Sequence, residues 1–369
     1  MALTKVRLGG IEPQYVGKRN LIINGAMQVA QRGTSTSGVG ASTPVFPCVD
    51  RFRFVVGGTT AGRATVSQST DAPNGFANSL KIDVTTADTS IASTEALFLN
   101  TLLEGQDLQQ IKKGTSDAES LTLSFYVKGN ASATYTCEIR DLDNDRINTQ
   151  TFSVTTSWNR ITLTFIPDTT GALDNNNGAS LQISFILHAG STYTSGTFAS
   201  NTWAARVQGN RVSSSGTSIF DSTDRELFIT GVQLEVGSVA TPFEHRSFGE
   251  ELGLCQRYLN IFGKAETGNN YENFGTVVAF GTNAGEHRMQ MTMPTTMRAI
   301  PSVGNSGNFA CLGQVDGGGV LSSIGLADGG SKTIIGLNLT MNAGNDRGDV
   351  SPFRSNNDAD AFISFDAEL

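Results

Sequence analysis

Apolar and polar residues alternate strictly in several separate segments of the first two thirds of the chain. Leu121, Leu123 and Phe125 alternate with Thr122 and Ser124, for example. This period of two is typical of a β-strand that buries one face, and many such strands in succession favour antiparallel sheets. The same alternation recurs in residues 52–56, 80–84, 135–139, 161–165 and 181–187. Two such sheets packed face to face form a sandwich, so we predict an all-β protein with a jelly-roll β-sandwich over residues 45–245.

The alternation ends at a stretch that predicts a change of architecture. Phe228, Val232, Leu234 and Val236 share one parity, which predicts a last strand with one buried face. Pro242 lies beyond this strand and prevents it from continuing. We therefore expect the sandwich to end close to residue 245.

A short connecting helix is predicted for residues 246–263. Ser247 and Glu250 have the S-x-x-E spacing of a capping box, which satisfies free backbone N–H groups at the start of a helix. Gly263 is a typical stop signal. Four apolar residues follow at the spacings of three and four that place side chains on one helix face: Leu252, Cys255, Leu259 and Phe262. Either this stripe covers the end of the sandwich, or it forms a contact between subunits.

The remaining residues, 264–369, again favour β-structure, with Gly-rich turns between the strands. Met289, Met291 and Met293 form a stripe on one strand face, for which core packing and a subunit seam are both open interpretations. The segments that we interpret as strands are residues 276–280, 287–293, 332–341 and 361–365. We predict a second, smaller β-sandwich here, and we expect it to be the domain distal to the N-terminal residues.

Residues 1–44 show little periodicity and contain the tract GTSTSGVGAST at 33–43. A mobile tail is one interpretation of such a sequence. However, Leu21, Ile22 and Ile23 are apolar and require cover. We therefore predict an extended arm that packs on a neighbouring subunit or on another protein of an assembly.

The composition excludes some functions. The formal net charge of −8 and the lack of a basic run interleaved with aromatics argue against nucleic-acid binding. No apolar run approaches the ~18 residues of a membrane span, so we expect no membrane insertion. The cysteines are dispersed and form no CxxC motif, which favours buried free thiols over disulfides: Cys48, Cys137, Cys255 and Cys311.

The histidines give no sign of a metal centre. His188, His245 and His287 lie far apart in the sequence, and none is part of an HExxH motif or follows a CxxC pair. The sequence also lacks a nucleophile elbow and a phosphate-binding loop. We therefore assign no catalytic residues and no metal ligands, and we predict that the protein is not an enzyme.

The tract DLDND at residues 141–145 resembles the start of a calcium loop. An EF-hand requires Gly at its sixth position and Glu at its twelfth, where this chain has Arg146 and Phe152. Asp and Asn also favour hairpin turns, because their side chains bond to nearby backbone groups. A hairpin turn is our first interpretation, and a structural calcium ion bound in some other way is the second.

Aromatic residues are the candidates for ligand binding, because sugars stack their apolar faces on aromatic rings. Tyr193 and Trp203 lie in a region rich in Ser, Thr, Asn and Gly, residues 189–218, which suits a loop platform. Tyr126 points to the polar face of its strand. We assign these three rings as candidate ligand-binding residues, with half-buried packing as the alternative for each.

Several blocks of this sequence resemble, in order, the jelly-roll module found in tail-fibre and other virion proteins of tailed bacteriophages, especially phages of marine bacteria. The resemblance covers residues 1–262. The blocks are NLIINGAMQVAQRG at 20–33, DRFRF at 50–54, LEGQDL at 103–108, GTSDAESLTLSFYVKGN at 114–130, DTTGALDNNNG at 168–178 and the junction at 231–260.

This resemblance implies a virion protein that is assembled in the host cytoplasm, with a tail-fibre or receptor-binding subunit as the preferred interpretation. Its arm would bind other virion proteins, and its rings would bind a host surface glycan. Similar fibres are commonly homotrimers, so the stripe from Leu252 to Phe262 would then be the trimer contact. A head fibre or a capsid or tail decoration protein is the alternative, and a carbohydrate-active enzyme is a third.

Overall fold

The structure is a computed structural model that describes residues 18–41, 45–264, 270–280, 285–312, 319–327, 330–342 and 348–369. The chain divides into two compact units, of which the first ends at Glu251 and the second begins at Leu252. Most of the regular structure is β-strand, so the predicted all-β class is confirmed. No helix of the described residues is long and apolar enough to cross a membrane.

The first unit is built from strands and a few short helical turns. One α-helical turn, α1, spans Ser191–Thr194, and 3₁₀ turns span Gly105–Asp107, Gln109–Ile111, Gln208–Asn210 and Ile219–Asp221. The strands are β1 Ser35–Val39, β2 Arg53–Gly57, β3 Arg63–Ser69, β4 Ser79–Thr86, β5 Ala96–Glu104, β6 Leu121–Gly129, β7 Ala133–Asp141, β8 Arg146–Val154, β9 Asn159–Phe165, β10 Ala179–Ala189, β11 Ala204–Ala205 and β12 Glu226–Val236.

These strands form two antiparallel sheets that enclose one core. The front sheet has six strands in the order β1-β3-β4-β12-β6-β9. The back sheet has six strands in the order β11-β8-β7-β10-β5-β2. The chain crosses from one sheet to the other repeatedly, for example from β4 to β5 and from β5 to β6. This is the predicted jelly-roll sandwich.

Aromatic rings from both sheets meet at the centre of this core. Phe125 of β6 packs edge-on against Phe152 of β8 and Phe185 of β10, with ring centroids 5.1 and 5.0 Å apart. Edge-to-face contacts of this kind are favourable because the positive ring edge meets the negative ring face. All three rings are buried, so the two sheets are held as a rigid scaffold.

The described part of the predicted N-terminal arm belongs to this same sandwich. Strand β1 pairs with β3 at the edge of the front sheet. The Leu21 N–H donates to the Leu234 carbonyl at 3.0 Å, and Ile22 and Met27 are buried in the core. These residues are covered by their own domain. The prediction that the arm packs on a neighbouring protein is therefore wrong for them. The rest of the predicted arm lies outside the described residues.

Strand β12 changes its buried side in the middle. Leu227 lies in the core before the change, and Val232 and Leu234 lie there after it. The register shifts at Gly231, which has a φ of 61°, as expected for a β-bulge. Phe228 consequently points away from the core, so the prediction that it shares a buried face with Val232 and Leu234 is wrong.

The second unit is the smaller β-sandwich that the sequence predicts. A three-stranded sheet has the order β13-β21-β16, and a six-stranded sheet has the order β17-β20-β14-β15-β19-β18. Met289, Met291 and Met293 are buried in the core of this unit, which favours core packing over a subunit seam. The strands are β13 Leu259–Gly263, β14 Asn273–Ala279, β15 Glu286–Thr292, β16 Ser302–Ser306, β17 Phe309–Cys311, β18 Leu321–Leu326, β19 Ile334–Met341, β20 Val350–Ser355 and β21 Phe362–Asp366.

The structure contains the predicted connecting helix, but the helix is shorter than expected. Helix α2 spans Phe248–Gln256, and the Glu250 N–H donates to Ser247 Oγ at 3.3 Å, as expected for the predicted N-cap. The chain then leaves the helix, and β13 pairs with β21. The helical prediction for the second half of residues 246–263 is therefore wrong.

The predicted subunit-contact stripe is split by this change of structure. Cys255 lies on α2, whereas Leu259 and Phe262 lie on β13. Cys255 and Leu259 are buried within the single chain, so these two side chains need no second subunit to cover them. A contact through Leu252 and Phe262 stays a prediction.

All four cysteines are buried and none forms a disulfide, as predicted. Burial raises the pKa of Cys48 to about 11 and that of Cys311 to about 12, because a thiolate is poorly solvated in an apolar core. These thiols are therefore neutral and behave as small apolar residues.

Candidate functional site

The front sheet presents aromatic and charged side chains on its outer face, the face turned away from the core. Alternation along β6 buries Phe125 and Val127 and directs Tyr126 and Lys128 outward. Arg160 of β9 is the direct cross-strand neighbour of Tyr126. This face therefore combines apolar rings with hydrogen-bonding groups on paired strands.

Four rings gather at one place on this outer face. The Phe76 ring lies at the centre, with its centroid 5.3 Å from that of Tyr126, 5.0 Å from Phe243 and 5.1 Å from His245. Phe243 also packs edge-on against His245 at 4.9 Å. Phe76, Tyr126 and Phe243 are partly exposed, and His245 is exposed. We call Phe76, Tyr126, Phe243 and His245 the aromatic platform.

The bulge in β12 makes room for this platform. A Cβ atom at Gly231 would lie 2.7 Å from the Phe76 ring and 2.9 Å from the Tyr126 ring, which is closer than real side-chain atoms approach. Its φ of 61° is also strained for residues other than glycine. Glycine at this position therefore allows the two rings to lie directly over the strand.

Hydrogen bonds fix the segment that carries Phe243 and His245. The Glu244 N–H donates to Gln233 Oε1 at 2.7 Å. The Glu244 carboxylate in turn accepts backbone N–H bonds from Arg19 at 3.1 Å and from Asn20 at 2.9 Å. Because both neighbours of Glu244 are platform residues, these bonds place two rings without using the rings themselves.

Polar groups border the platform on the β9 side. The Arg160 guanidinium donates to Ser124 Oγ at 3.1 Å and to the Thr241 carbonyl. Arg160 is exposed, so its remaining donors can reach a bound molecule. A guanidinium is a fixed fork of hydrogen-bond donors, which suits the hydroxyl groups of a sugar.

A second ring group lies further along the same face. Trp158 Nε1 donates to Asp71 Oδ1 at 3.1 Å, and Lys128 pairs with the other oxygen of Asp71. The Lys128 ammonium lies 5.5 Å from the Trp158 ring centroid and 4.7 Å from that of Phe228. The hydrogen bond from Lys128 holds the pKa of Asp71 below its ordinary value, so the carboxylate stays ionised.

Of the predicted ligand-binding rings, Tyr126 belongs to this site and Tyr193 does not. Tyr193 is 9% exposed and packs edge-on against Phe98 at 5.7 Å on the outer face of the back sheet. The Arg211 guanidinium covers both rings. Tyr193 is therefore not part of the loop platform that the sequence suggests, because its polar segment folds back over the sheet.

Trp203 lies apart from the platform as well. Its Nε1 donates to the Ile166 carbonyl at 2.8 Å, and its ring packs against the main core of the sandwich. The half-buried packing alternative therefore describes Trp203. Sequence reasoning missed Phe76, Phe243 and His245, although each lies in or beside a polar turn, where an aromatic residue is unexpected.

The acidic tract at residues 141–145 forms the hairpin turn between β7 and β8. Asp141 Oδ1 accepts the N–H groups of Asp143 and Asn144 at 2.9 and 3.0 Å. Its other oxygen lies 2.5 Å from Lys113 Nζ, which is also 3.0 Å from Asp168 Oδ2. These contacts fit the hairpin interpretation. The buried ammonium of Lys113 balances the two carboxylates, which is the role that a calcium ion would have in the second interpretation.

Comparisons with known proteins give matches among solved structures alone. No family model and no curated protein matches the chain. A family 4 carbohydrate-binding module is 12% identical with a TM-score of 0.30, over 58% of this chain and 97% of that one. A family 11 module from Clostridium thermocellum, in complex with a β-1,3-1,4-mixed-linked tetrasaccharide, is 11% identical with a TM-score of 0.28, over 57% and 99%.

A phage protein is also similar. The enzymatically active domain of tailspike protein 4 of bacteriophage CBA120 is 15% identical with a TM-score of 0.28, over 59% of this chain and 21% of that one. The similar solved structures are mostly carbohydrate-binding modules. At these identities and TM-scores the similarity carries no argument about ligand or activity, which have to come from the site itself.

Proposed function

We propose that this protein is a non-enzymatic, glycan-binding virion protein of a tailed phage, a tail-fibre or receptor-binding subunit that contacts the host surface. The aromatic platform is its glycan-binding site. The sandwich acts as the rigid support on which the rings are held.

One observation carries the binding part of this proposal. Partly exposed rings from a strand and from neighbouring connections meet on the outer face of the front sheet, beside the exposed donors of Arg160. Sugars offer apolar C–H faces for stacking and hydroxyl groups for hydrogen bonding, and this face offers partners for both. A charged ligand would use only the polar groups of this face, and a purely apolar ligand would use only its rings.

The virion part of the proposal is supported by the ordered sequence blocks that resemble phage fibre modules. Repeated copies on a virion would add avidity to a shallow site that binds each glycan weakly. Assembly as a homotrimer belongs to the same proposal, as does attachment to other virion proteins.

Platform variants test the binding directly. The probes are soluble capsular polysaccharides, purified bacterial lipopolysaccharides and mixed-linkage glucans, measured by affinity electrophoresis with the full chain. We expect at least one probe to bind saturably, and Tyr126→Ala or Phe243→Ala to weaken that binding roughly tenfold, which corresponds to about 1.4 kcal/mol. The free energy of unfolding should change by about 1 kcal/mol or less, because these rings lie outside the core.

Tyr271→Ala is the matched control, because Tyr271 is another exposed ring that lies in the second unit and stacks with Arg354. It should bind the same probe as tightly as the unchanged chain. Equal binding by Tyr126→Ala, Phe243→Ala and Tyr271→Ala would reject the platform. Immunogold labelling of virions then separates a tail fibre from a head fibre or decoration protein.

A further inference from the structure

A buried group of two carboxylates and one imidazole lies at one end of the jelly roll, away from the residues of the aromatic platform. Asp88 follows β4 of the front sheet, Glu95 precedes β5 of the back sheet, and His188 lies near the end of β10. One donor atom from each residue lies within 4.8 Å of the other two. Within the described part of the chain, this is the one such group of three His, Cys, Asp or Glu residues.

The carboxylates of this group have no matching cation within the described part of the chain. Asp88 and Glu95 are 6% and 5% exposed, and among the described residues neither forms an ion pair with a lysine or an arginine. Hydrogen bonds from Thr60 Oγ1 at 2.7 Å and from the Ala61 N–H at 2.8 Å stabilise the Asp88 carboxylate. Buried carboxylates are normally paired or bound to a metal, since an isolated buried charge is costly.

The surroundings lower the pKa of both Asp88 and His188. Burial alone would raise the pKa of Asp88, but the hydrogen bonds from Thr60 and Ala61 hold it below its ordinary value. Burial lowers the pKa of His188 more than the two nearby carboxylates raise it.

The His188 ring is oriented like that of a metal ligand. Its side chain is fully buried, and Nδ1 lies 2.7 Å from Ser218 Oγ. Nε2 has no hydrogen-bond partner within the described residues, and it faces Glu95 Oε2 at 3.6 Å, which is beyond hydrogen-bond length. A metal-binding histidine commonly bonds through its other ring nitrogen to a second group that fixes the ring. Ser218 takes this place here.

We propose that Asp88, Glu95 and His188 bind a divalent transition metal ion, with zinc as the first candidate. A nitrogen and two carboxylate oxygens suit zinc and its first-row neighbours, whereas calcium takes oxygen ligands. Zinc lies about 2.1 Å from such ligands, which places them roughly 3.4 Å apart. The His188–Glu95 separation of 3.6 Å is already close to that. The Asp88 ligand atom lies within 4.8 Å of the other two, so a closure of about 1.4 Å or less brings it in.

The bound ion has a structural consequence. Its ligands belong to the connection from the front sheet to the back sheet and to the strand beside it, so the ion fastens the crossover from β4 to β5. The Asp88 N–H also donates to the Phe220 carbonyl at 2.8 Å, which links the same group to the segment before β12. A metal here stabilises the folded sandwich, because the unfolded chain does not hold the three ligands together.

Metal titration of the full chain, prepared without a polyhistidine tag and treated with EDTA, tests this proposal. The probes are Zn²⁺ followed by calorimetry and Co²⁺ followed by its visible d–d absorption. We expect one ion per chain, and a melting temperature that rises by roughly 5–10 °C when free metal is 100-fold above Kd. His188→Gln and Glu95→Gln should each weaken binding by at least about 100-fold and change the Co²⁺ spectrum.

His287→Gln is the matched control, because His287 is also buried and, among the described residues, its Nε2 has no hydrogen-bond partner and it belongs to no such group of ligands. It should bind the metal like the unchanged chain, and so should Tyr126→Ala. A folded chain that binds neither ion would overturn the proposal, as would an unchanged Co²⁺ spectrum in His188→Gln. If that variant does not fold, the titration of the unchanged chain and of Glu95→Gln still decides.

Discussion

The two sheets of the jelly roll differ in whether the aromatic residues on their outer faces are exposed or covered. On the front sheet, Phe76, Tyr126 and Phe243 stay partly exposed beside polar side chains. On the back sheet, a segment that includes α1 covers Phe98 and Ile186, and Tyr193 from this segment becomes part of a small apolar cluster. Similar residues therefore form a partly exposed surface on one sheet and a second core on the other, according to what covers them.

Ion pairs show the same contrast. Arg211 and Glu138 on the back sheet are joined by two hydrogen bonds of 2.7 Å and are almost completely buried. Asp71 and Lys128 on the front sheet pair at the surface, where the Asp71 side chain is 45% exposed. Water and salt screen the exposed pair, whereas the buried pair has no replacement partner if one member is lost. The following predictions test this contrast.

The largest effect is expected from breaking the buried pair. Arg211→Met leaves the Glu138 carboxylate buried without a cation, and we expect the free energy of unfolding to fall by about 3–5 kcal/mol. Urea unfolding followed by tryptophan fluorescence measures this loss in the first unit, since Trp158 and Trp203, the two tryptophans of the chain, both lie there.

The double variant Arg211→Met with Glu138→Leu is the control for this measurement. It removes both charges together, so most of the lost stability should return. A double variant as unstable as Arg211→Met would show that the packing of the arginine on Phe98 and Tyr193, and not the charge, holds the segment in place.

A smaller loss of stability is expected from the covering ring itself. Tyr193→Ala should reduce the free energy of unfolding by about 3 kcal/mol, because it leaves a cavity against Phe98. Glycan affinity of the folded protein should change less than about twofold. Tyr193→Phe keeps the ring and should cost less than about 1 kcal/mol. A tenfold loss of affinity at unchanged stability in Tyr193→Ala would assign this ring to ligand binding and erase the contrast between the sheets.

The smallest effect is expected at the exposed pair. Asp71→Asn should change the free energy of unfolding by about 0.5 kcal/mol or less. Because the pKa of Asp71 is lowered from 3.8 in the folded protein, its contribution is present above that value and is lost as the pH falls through the folded pKa. The variant should therefore flatten the acid limb of the stability profile slightly. A loss as large as that of Arg211→Met would mean that this pair is not screened.

The strands that the sequence predicts are those in which apolar and polar residue types alternate. In β6 and β10 the core residues alternate with outward ones, and the pattern is visible without the structure. Strand β5, Ala96–Glu104, also carries the apolar residues Phe98 and Leu102 at outward positions that are buried, so its sequence lacks alternation and the prediction missed it. Burial on both faces depends on what packs against the back sheet, which local sequence does not reveal.

The helical stripe shows a different limit. Leu252, Cys255, Leu259 and Phe262 have helical spacing, but α2 ends at Gln256 and the last two residues enter a strand. Apolar residues three and four apart also occur by chance where a helix meets a strand. Pairing of β13 with β21, about 100 residues further along the chain, decides the structure, and such long-range pairing overrides the local pattern.

The same limit applies to the candidate sites, of which only a part could be predicted from the sequence. Tyr126 follows from strand parity, because its neighbours on β6 are plainly buried. The other platform residues come from connections without periodicity, and the three residues of the metal group are separated by as many as 100 positions, from 88 to 188. Long-range strand pairing brings them together, and no local spacing marks them.

The mixed origin of the aromatic platform bears on how the proposed glycan-binding site can change its ligand. Phe76, Phe243 and His245 lie outside the strands and do not belong to the core of the sandwich. Substitutions there can therefore reshape the surface without loosening the sandwich. A population of such proteins can follow a changing target by exchanging a few side chains while folding to the same scaffold.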